Sequence, residues 1–161
     1  MSHELPRSVK VATVWLLAGA CLFLGVQWWQ SREQAMRFQA HGDTVEIRRG
    51  VDGHYHWPGR INGREVDFLV DTGATGTAIS AALARELRLE SLGEVRSNTA
   101  GGVVSGHLVR ADVELQGGVS ARALRVVALP HLGEHPLLGM DVLSRLRWQQ
   151  SDGQLRVELH R

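Results

Sequence analysis

The run Val66-Asp67-Phe68-Leu69-Val70-Asp71-Thr72-Gly73-Ala74-Thr75 constrains this chain more than any other, because an apolar strand delivers a carboxylate straight into a hydroxyl and a glycine. Val66, Phe68 and Val70 recur at period two, which turns one apolar face to a core and leaves Asp71 at the strand's end. The threonine can hydrogen-bond inward and lock the loop, and the glycine lets another backbone come close. Asp-Thr-Gly is also an ordinary turn sequence, since all three residue types favour turns. Its surroundings set this one apart: small residues from Ala74 to Gly76, a second short strand at Thr77-Ala78-Ile79, and a helical segment opening at Ser80.

Three segments resemble the retroviral-type aspartic proteases (retropepsins), and more closely the bacterial membrane-anchored proteins of that group. They are Asp71-Thr72-Gly73-Ala74-Thr75, the glycine-bearing Thr99-Ala100-Gly101-Gly102-Val103-Val104, and Leu137-Leu138-Gly139-Met140-Asp141-Val142-Leu143. The resemblance covers residues 45–161 and implies an all-β, single-lobe acid protease fold with one or two short helices. It further implies that the first segment carries the catalytic aspartate and that the second is a flap hairpin closing over substrate. The third is then the apolar-apolar-Gly segment that backs the active-site loop and leads into a short helix.

Carried over on that basis, Asp71 is general base and acid, Thr72 braces two loops across a dimer axis, and Gly73 receives the substrate backbone. Ala74 and Thr75 continue the substrate-binding wall, Gly101, Gly102 and Val103 line it from the flap, and Leu138 and Gly139 support the loop. Two features depart from the pattern. Many retroviral enzymes carry an aspartate where this chain has Thr75, and the flap segment lacks an aromatic tip.

The chemistry of such a site needs two carboxylates close enough to share one proton, because like charges at that separation cannot both ionise cheaply. Only one Asp-Thr-Gly, and no Asp-Ser-Gly, occurs in the 161 residues. The second carboxylate is therefore expected from another copy, in a homodimer with Asp71 of each chain facing a two-fold axis. The expected activity is that of an aspartic endopeptidase acting on an extended polypeptide, with no metal or organic cofactor. A catalytically weak or inactive dimerisation or peptide-binding module is the alternative, since a fold and a motif do not by themselves establish turnover.

Residues 11–29 form a mostly apolar run of about the length that crosses a bilayer as a helix. Arg7 and Lys10 precede it and Trp28-Trp29 close it, which predicts a single-pass anchor with residues 1–10 in the cytoplasm. A polar linker over 30–44 and the protease domain over 45–161 then follow, the latter outside a bacterial inner membrane, in the periplasm. A cleaved leader ending near Ala18-Gly19-Ala20 is the rival reading, but Leu22 to Val26 continue the apolar run beyond it. The single cysteine, Cys21, sits inside this run, so the exported domain has no disulfide framework. Residues 45–161 suit one compact core and leave no room for a second lobe. A net charge of +1 with scattered arginines gives no basic patch for nucleic acid.

The domain reads as strands. Asn62-Gly63 is a hairpin signal between Ile61 and Val66, Val109, Ala111, Val113 and Leu115 alternate, and Gln116-Gly117-Gly118 turns the chain into a β-rich run from Ala121 to Leu129. Leu155, Val157 and Leu159 close the chain after an Asp152-Gly153 turn. Helix is expected over Ser80 to Leu89, with Ser80 as N-cap, and in a short piece after Gly139 that Asp141 is placed to cap.

Two further motifs offer metal chemistry. His131-Leu132-Gly133-Glu134-His135 matches the H-x-x-E-H pattern of zinc peptidases, but that site needs a helix, and Pro130, Gly133 and Pro136 predict a loop. His54-Tyr55-His56 puts two imidazoles on one face of a strand, with Tyr55 and Trp57 inward; no third ligand is evident, so an exposed polar face is the simpler expectation. Asp67 is expected on the opposite side of its strand from Val66, Phe68 and Val70.

Overall fold

A computed structural model describes residues 11, 13–26, 38–41, 43–99 and 101–159. The chain divides into two compact units, Met1–Met36 and Arg37–Arg161. In the first, residues 13–26 form a helix, α1, whose large apolar side chains, including Trp15, Leu16, Leu22 and Phe23, are exposed. Among the described residues no helix is long and apolar enough to cross a membrane. The span expected over 11–29 includes Ala12 and Gln27 to Trp29, which lie outside them.

The second unit is almost entirely β. Its strands are β1 (Phe38–His41), β2 (Thr44–Arg48), β3 (His56–Ile61), β4 (Arg64–Val70), β5 (Ala78–Ser80), β6 (Ser91–Thr99), β7 (Gly102–Leu115), β8 (Val119–Leu129), β9 (Leu137–Leu138), β10 (Arg147–Ser151) and β11 (Gln154–Glu158). Two short helices, α2 (Ala81–Glu86) and α3 (Met140–Leu143), interrupt them. β1 falls within the stretch that reads as linker and pairs with β2, Phe38 opposite Ile47.

A seven-stranded sheet runs β3-β4-β9-β5-β8-β7-β6, and β7 pairs a second time with β3. That second pairing, Gly59 to Ile61 against Leu115 to Val113, closes the sheet on itself. Only β6 stays at an edge, and none of its residues is buried. The hairpin signals act where the sequence puts them. Asn62 and Gly63 take left-handed φ of 47° and 82°, as a two-residue turn between right-twisted strands requires. The Asn62 side chain also accepts the Asp112 N–H at 2.8 Å, fastening the β3–β4 turn to β7.

Alternation decides the interior. Val109, Ala111, Val113 and Leu115 of β7 are buried, as are Trp57, Phe68, Ile79, Val126 and Leu138. The four-stranded sheet β1-β2-β11-β10 adds Val45 and Ile47, which face Val157 and Leu155 across the β2–β11 ladder and belong to the same core. Each of these large side chains contributes about 1.5–3 kcal/mol by leaving water.

Ser80 caps α2 as expected, its hydroxyl accepting the Leu83 N–H at 3.1 Å. The helix is shorter than its pattern: it stops at Glu86, and Arg88 takes a left-handed φ of 53° that no helix continues through. The expectation for Asp141 fails. Gly139 is the N-cap of α3 without a side-chain bond, and the Asp141 carboxylate is committed to Thr77 instead.

Candidate active site

Asp71 follows the last residue of β4, and its position is fixed by the strand beside it. β9 runs parallel to β4, Val70 opposite Leu138, and antiparallel to β5, Ala78 opposite Leu137. This two-residue strand therefore lies between the strands that the loop 71–77 connects. The Asp71 N–H donates to the Leu138 carbonyl at 3.0 Å, continuing the ladder one residue past the strand. The half-buried Asp71 carboxylate accepts the Gly73 N–H at 2.8 Å through Oδ1. A side chain at Gly73 would place Cβ 3.2 Å from that oxygen, so glycine keeps the carboxylate free to turn outward.

The same loop is fastened to the β9–α3 segment at two further points. The Met140 N–H donates to the Ala74 carbonyl at 2.9 Å. Thr77, fully buried, gives its N–H to Asp141 Oδ2 at 3.0 Å and its hydroxyl to Asp141 Oδ1 at 2.9 Å. Between these points Gly139 packs on Gly76 so tightly that a Cβ on it would lie 2.4 Å from the Gly76 carbonyl carbon. Gly139 has an ordinary extended φ of −92°, so it is required by this close approach and not by its backbone angle.

Of the residues singled out by sequence, Asp71, Gly73, Ala74, Leu138 and Gly139 are thus brought together. Thr72 and Thr75 are exposed on the same loop, and among the described residues the Thr72 hydroxyl has no hydrogen-bond partner. Gly101, Gly102 and Val103 lie at the β6–β7 hairpin, where Thr99 faces Gly102 and Val103 is exposed. No hydrogen bond among the described residues joins that hairpin to the 71–77 loop. Thr77 and Asp141 are the supporting pair that sequence reasoning missed; their separation of 64 positions hides the bond, and only the position of Asp141 two residues after Gly139 hinted at it.

A second polar cluster lies on the outer face of β3 and β4, away from Trp57 and Phe68. His56 Nδ1 is 2.9 Å from Asp67 Oδ2, and His56 Nε2 is 2.7 Å from Asp52 Oδ2. His135 reaches the same carboxylate, with Nδ1 3.9 Å from Asp67 Oδ2 and 3.2 Å from the Asp67 carbonyl oxygen. The hydrogen bond from His56, opposed by slight burial and aided by the His54 N–H and by the charge of both histidines, draws Asp52 down to about 2. The segment 131–135 is a loop, as its glycine and prolines predict, and the face expected to be merely polar holds a partnered His56.

A family model described as gag-polyprotein putative aspartyl protease matches residues 57–145, more than half of the chain and the part that runs from β3 through α3. Among solved structures, the chain is similar to a retropepsin-like aspartic protease from Rickettsia conorii, at 20% identity and a TM-score of 0.56, over 72% of this chain and 90% of that one. It is also similar to the EIAV protease complexed with the inhibitor HBY-793, at 19% identity and a TM-score of 0.49, over 62% of this chain and 93% of that one. No curated protein matches the chain. The likeness to the Rickettsia protein shows a retropepsin-like fold.

Proposed function

The chain belongs to the gag-polyprotein aspartyl protease family, and from that premise we propose that it is a membrane-anchored, homodimeric aspartic endopeptidase. One observation carries the reading: the single Asp-Thr-Gly loop is built like half of a catalytic centre. Asp71 is held from the backbone side by Leu138, oriented by the Gly73 N–H, and left partly exposed. A carboxylate so fixed costs little reorganisation when it acts, which is how an active site gains from preorganisation.

In the dimer, Asp71 and its copy share one proton and hold a water between them. The ionised carboxylate takes a proton from the water as it attacks the peptide carbonyl, and the protonated one donates to the carbonyl oxygen. The resulting tetrahedral intermediate breaks its C–N bond as the amine is protonated. Thr72, exposed and without a hydrogen-bond partner among the described residues, is available to bridge the two loops. The exposed hairpin at Gly101 to Val103 closes over an extended substrate.

The anchor reading rests on the apolar run 11–29, the exposed apolar side chains of α1, and the basic residues Arg7 and Lys10 before it. It places the protease domain on the periplasmic side of a bacterial inner membrane. Confinement to a membrane raises the effective concentration of the chains and favours the dimer.

The test is cleavage of a diverse peptide pool by the detergent-solubilised chain and by its Asp71→Asn variant, with dimer content recorded on the same samples. Cleavage that follows dimer content and vanishes in the variant is the expected result. A demonstrated dimer that cleaves nothing at mildly acidic or neutral pH would instead make the protein a binding module.

A further inference from the structure

We propose that His56, Asp67 and His135 form a binding site for a divalent transition metal, Zn2+ by its ligand chemistry, separate from the catalytic aspartate. The ligand atoms His56 Nδ1, Asp67 Oδ2 and His135 Nδ1 all lie within 4.8 Å of one another. Ligands about 2.0–2.1 Å from a tetrahedral zinc are about 3.3 Å apart, so small side-chain movements close the set around one ion. His135 is half exposed on a loop, and to ligate through Nδ1 it gives up the 3.2 Å contact with the Asp67 carbonyl oxygen, moving its proton to Nε2. Two imidazoles and one carboxylate leave a fourth position for water, a donor set that borderline metals accept and Mg2+ or Ca2+ does not favour.

Electrostatics independently favours a cation at this position. His56 has a carboxylate oxygen at hydrogen-bond distance from each ring nitrogen, Asp52 at 2.7 Å and Asp67 at 2.9 Å. A neutral imidazole has one N–H, so it satisfies one carboxylate and turns a lone pair on the other. The arrangement calls for a positive charge, supplied either by a second proton or by a cation between Nδ1 and Asp67. When Asp52 accepts from Nε2–H, Nδ1 presents its lone pair to the ion, in the manner of a carboxylate orienting a metal-bound histidine. When Zn2+ enters, it takes that lone pair, and any proton on Nδ1 leaves to solvent. Asp67 has spare capacity as well, because its Oδ1 is buried without a hydrogen-bond partner among the described residues.

The site joins elements that bear on the catalytic loop without touching it. Asp67 precedes Asp71 by four residues of β4, about 13 Å of strand. His135 precedes Pro136, whose carbonyl accepts the Leu69 N–H at 2.8 Å where β9 begins alongside β4. A metal here clamps the 130–136 loop to the outer face of β3 and β4, and so holds β9 under Asp71. Only His135 of the H-x-x-E-H sequence takes part, from the loop that Pro130, Gly133 and Pro136 predict.

The experiment is titration of the chelator-stripped full chain with Zn2+ by calorimetry, with Co2+ visible absorption as a second probe and thermal unfolding with and without Zn2+ as a third. One Zn2+ per chain, a four-coordinate Co2+ spectrum and a raised unfolding midpoint are expected. His135→Gln, on an exposed loop, and Asp67→Asn each lose that binding and the thermal shift. Asp52→Asn weakens affinity by about tenfold to a hundredfold through the orienting contact. His131→Gln, four residues away on the same loop, leaves it unchanged. A folded chain that takes up no Zn2+, or a His135→Gln variant that binds as tightly as the parent, overturns the site. None of the three readouts depends on peptide cleavage, so the fate of the protease reading is separate.

Discussion

Both oxygens of the Asp141 carboxylate are taken by one residue, Thr77, which gives one its N–H at 3.0 Å and the other its hydroxyl at 2.9 Å. The pair ties the end of the 71–77 loop to the first turn of α3. Hydrogen bonds to a charged group are worth about 1.5–3 kcal/mol, and an orphaned buried donor costs about 1–3 kcal/mol. Asp141→Ala leaves two donors of the fully buried Thr77 unpaired, so it should lower unfolding free energy by about 2–4 kcal/mol. Asp141→Asn keeps one acceptor and should cost less. Denaturant unfolding of the three proteins checks the order, and a loss under about 1 kcal/mol for Asp141→Ala would show that the pair is not what holds the loop.

Gly139→Ala tests the close approach on the other side of the loop. The added Cβ meets the Gly76 carbonyl carbon at 2.4 Å and its oxygen at 2.5 Å, backbone atoms that cannot swing away as a side chain would. The expected loss is about 1–3 kcal/mol, the usual range for overpacking, and at its upper end because the atoms met are backbone. Gly133→Ala, where a Cβ meets nothing within 4 Å, is the control and should stay within about 0.5 kcal/mol of the parent. Equal effects at both positions would contradict the packing argument.

Much of this was legible in the chain because it is local. The Asn62-Gly63 turn, the alternation from Val109 to Leu115 and the Ser80 cap each depend on residues a few positions apart, and all three form as expected. Asp71 at a strand end was legible for the same reason. What escaped is long-range or competitive. Asp141 looks like a helix cap from its position, yet a buried threonine 64 residues earlier in the chain offers two donors where α3 offers none to its side chain. His56 gains its neighbour His135 only because β9 is threaded between β4 and β5, and that topology brings a distant loop onto the β3–β4 face.

Asp52 gives the acid limb of stability a specific shape. His56 donates to its carboxylate, the His54 N–H adds a second bond at 3.2 Å, and the pKa falls from 3.8 to about 2. A carboxylate lowered on folding adds stability above its unfolded value and loses it as pH falls through its folded one. In chelator, the stability gap between the parent and Asp52→Asn should therefore be full above pH 3.8 and close as pH approaches 2. The carboxylate is well exposed, so solvent screening keeps the gap small. Unfolding midpoints measured across that window decide the matter, and a gap independent of pH would remove Asp52 from the account.

Asp71→Asn offers a sharper test than loss of activity alone. The asparagine Oδ1 can still accept the Gly73 N–H, so the variant should fold within about 1 kcal/mol of the parent and still dimerise. Mixed in equal amounts with the parent and allowed to exchange, it enters dimers at random. If a working site needs Asp71 from both chains, only dimers of two parent chains cleave, and activity per total chain falls to about a quarter of that of the parent alone. If each chain works by itself, it falls only to half. Cleavage rates across a series of mixing ratios separate a squared dependence on parent fraction from a linear one. A linear dependence, with exchange verified by tagged chains, would exclude a shared carboxylate pair whatever the fold suggests.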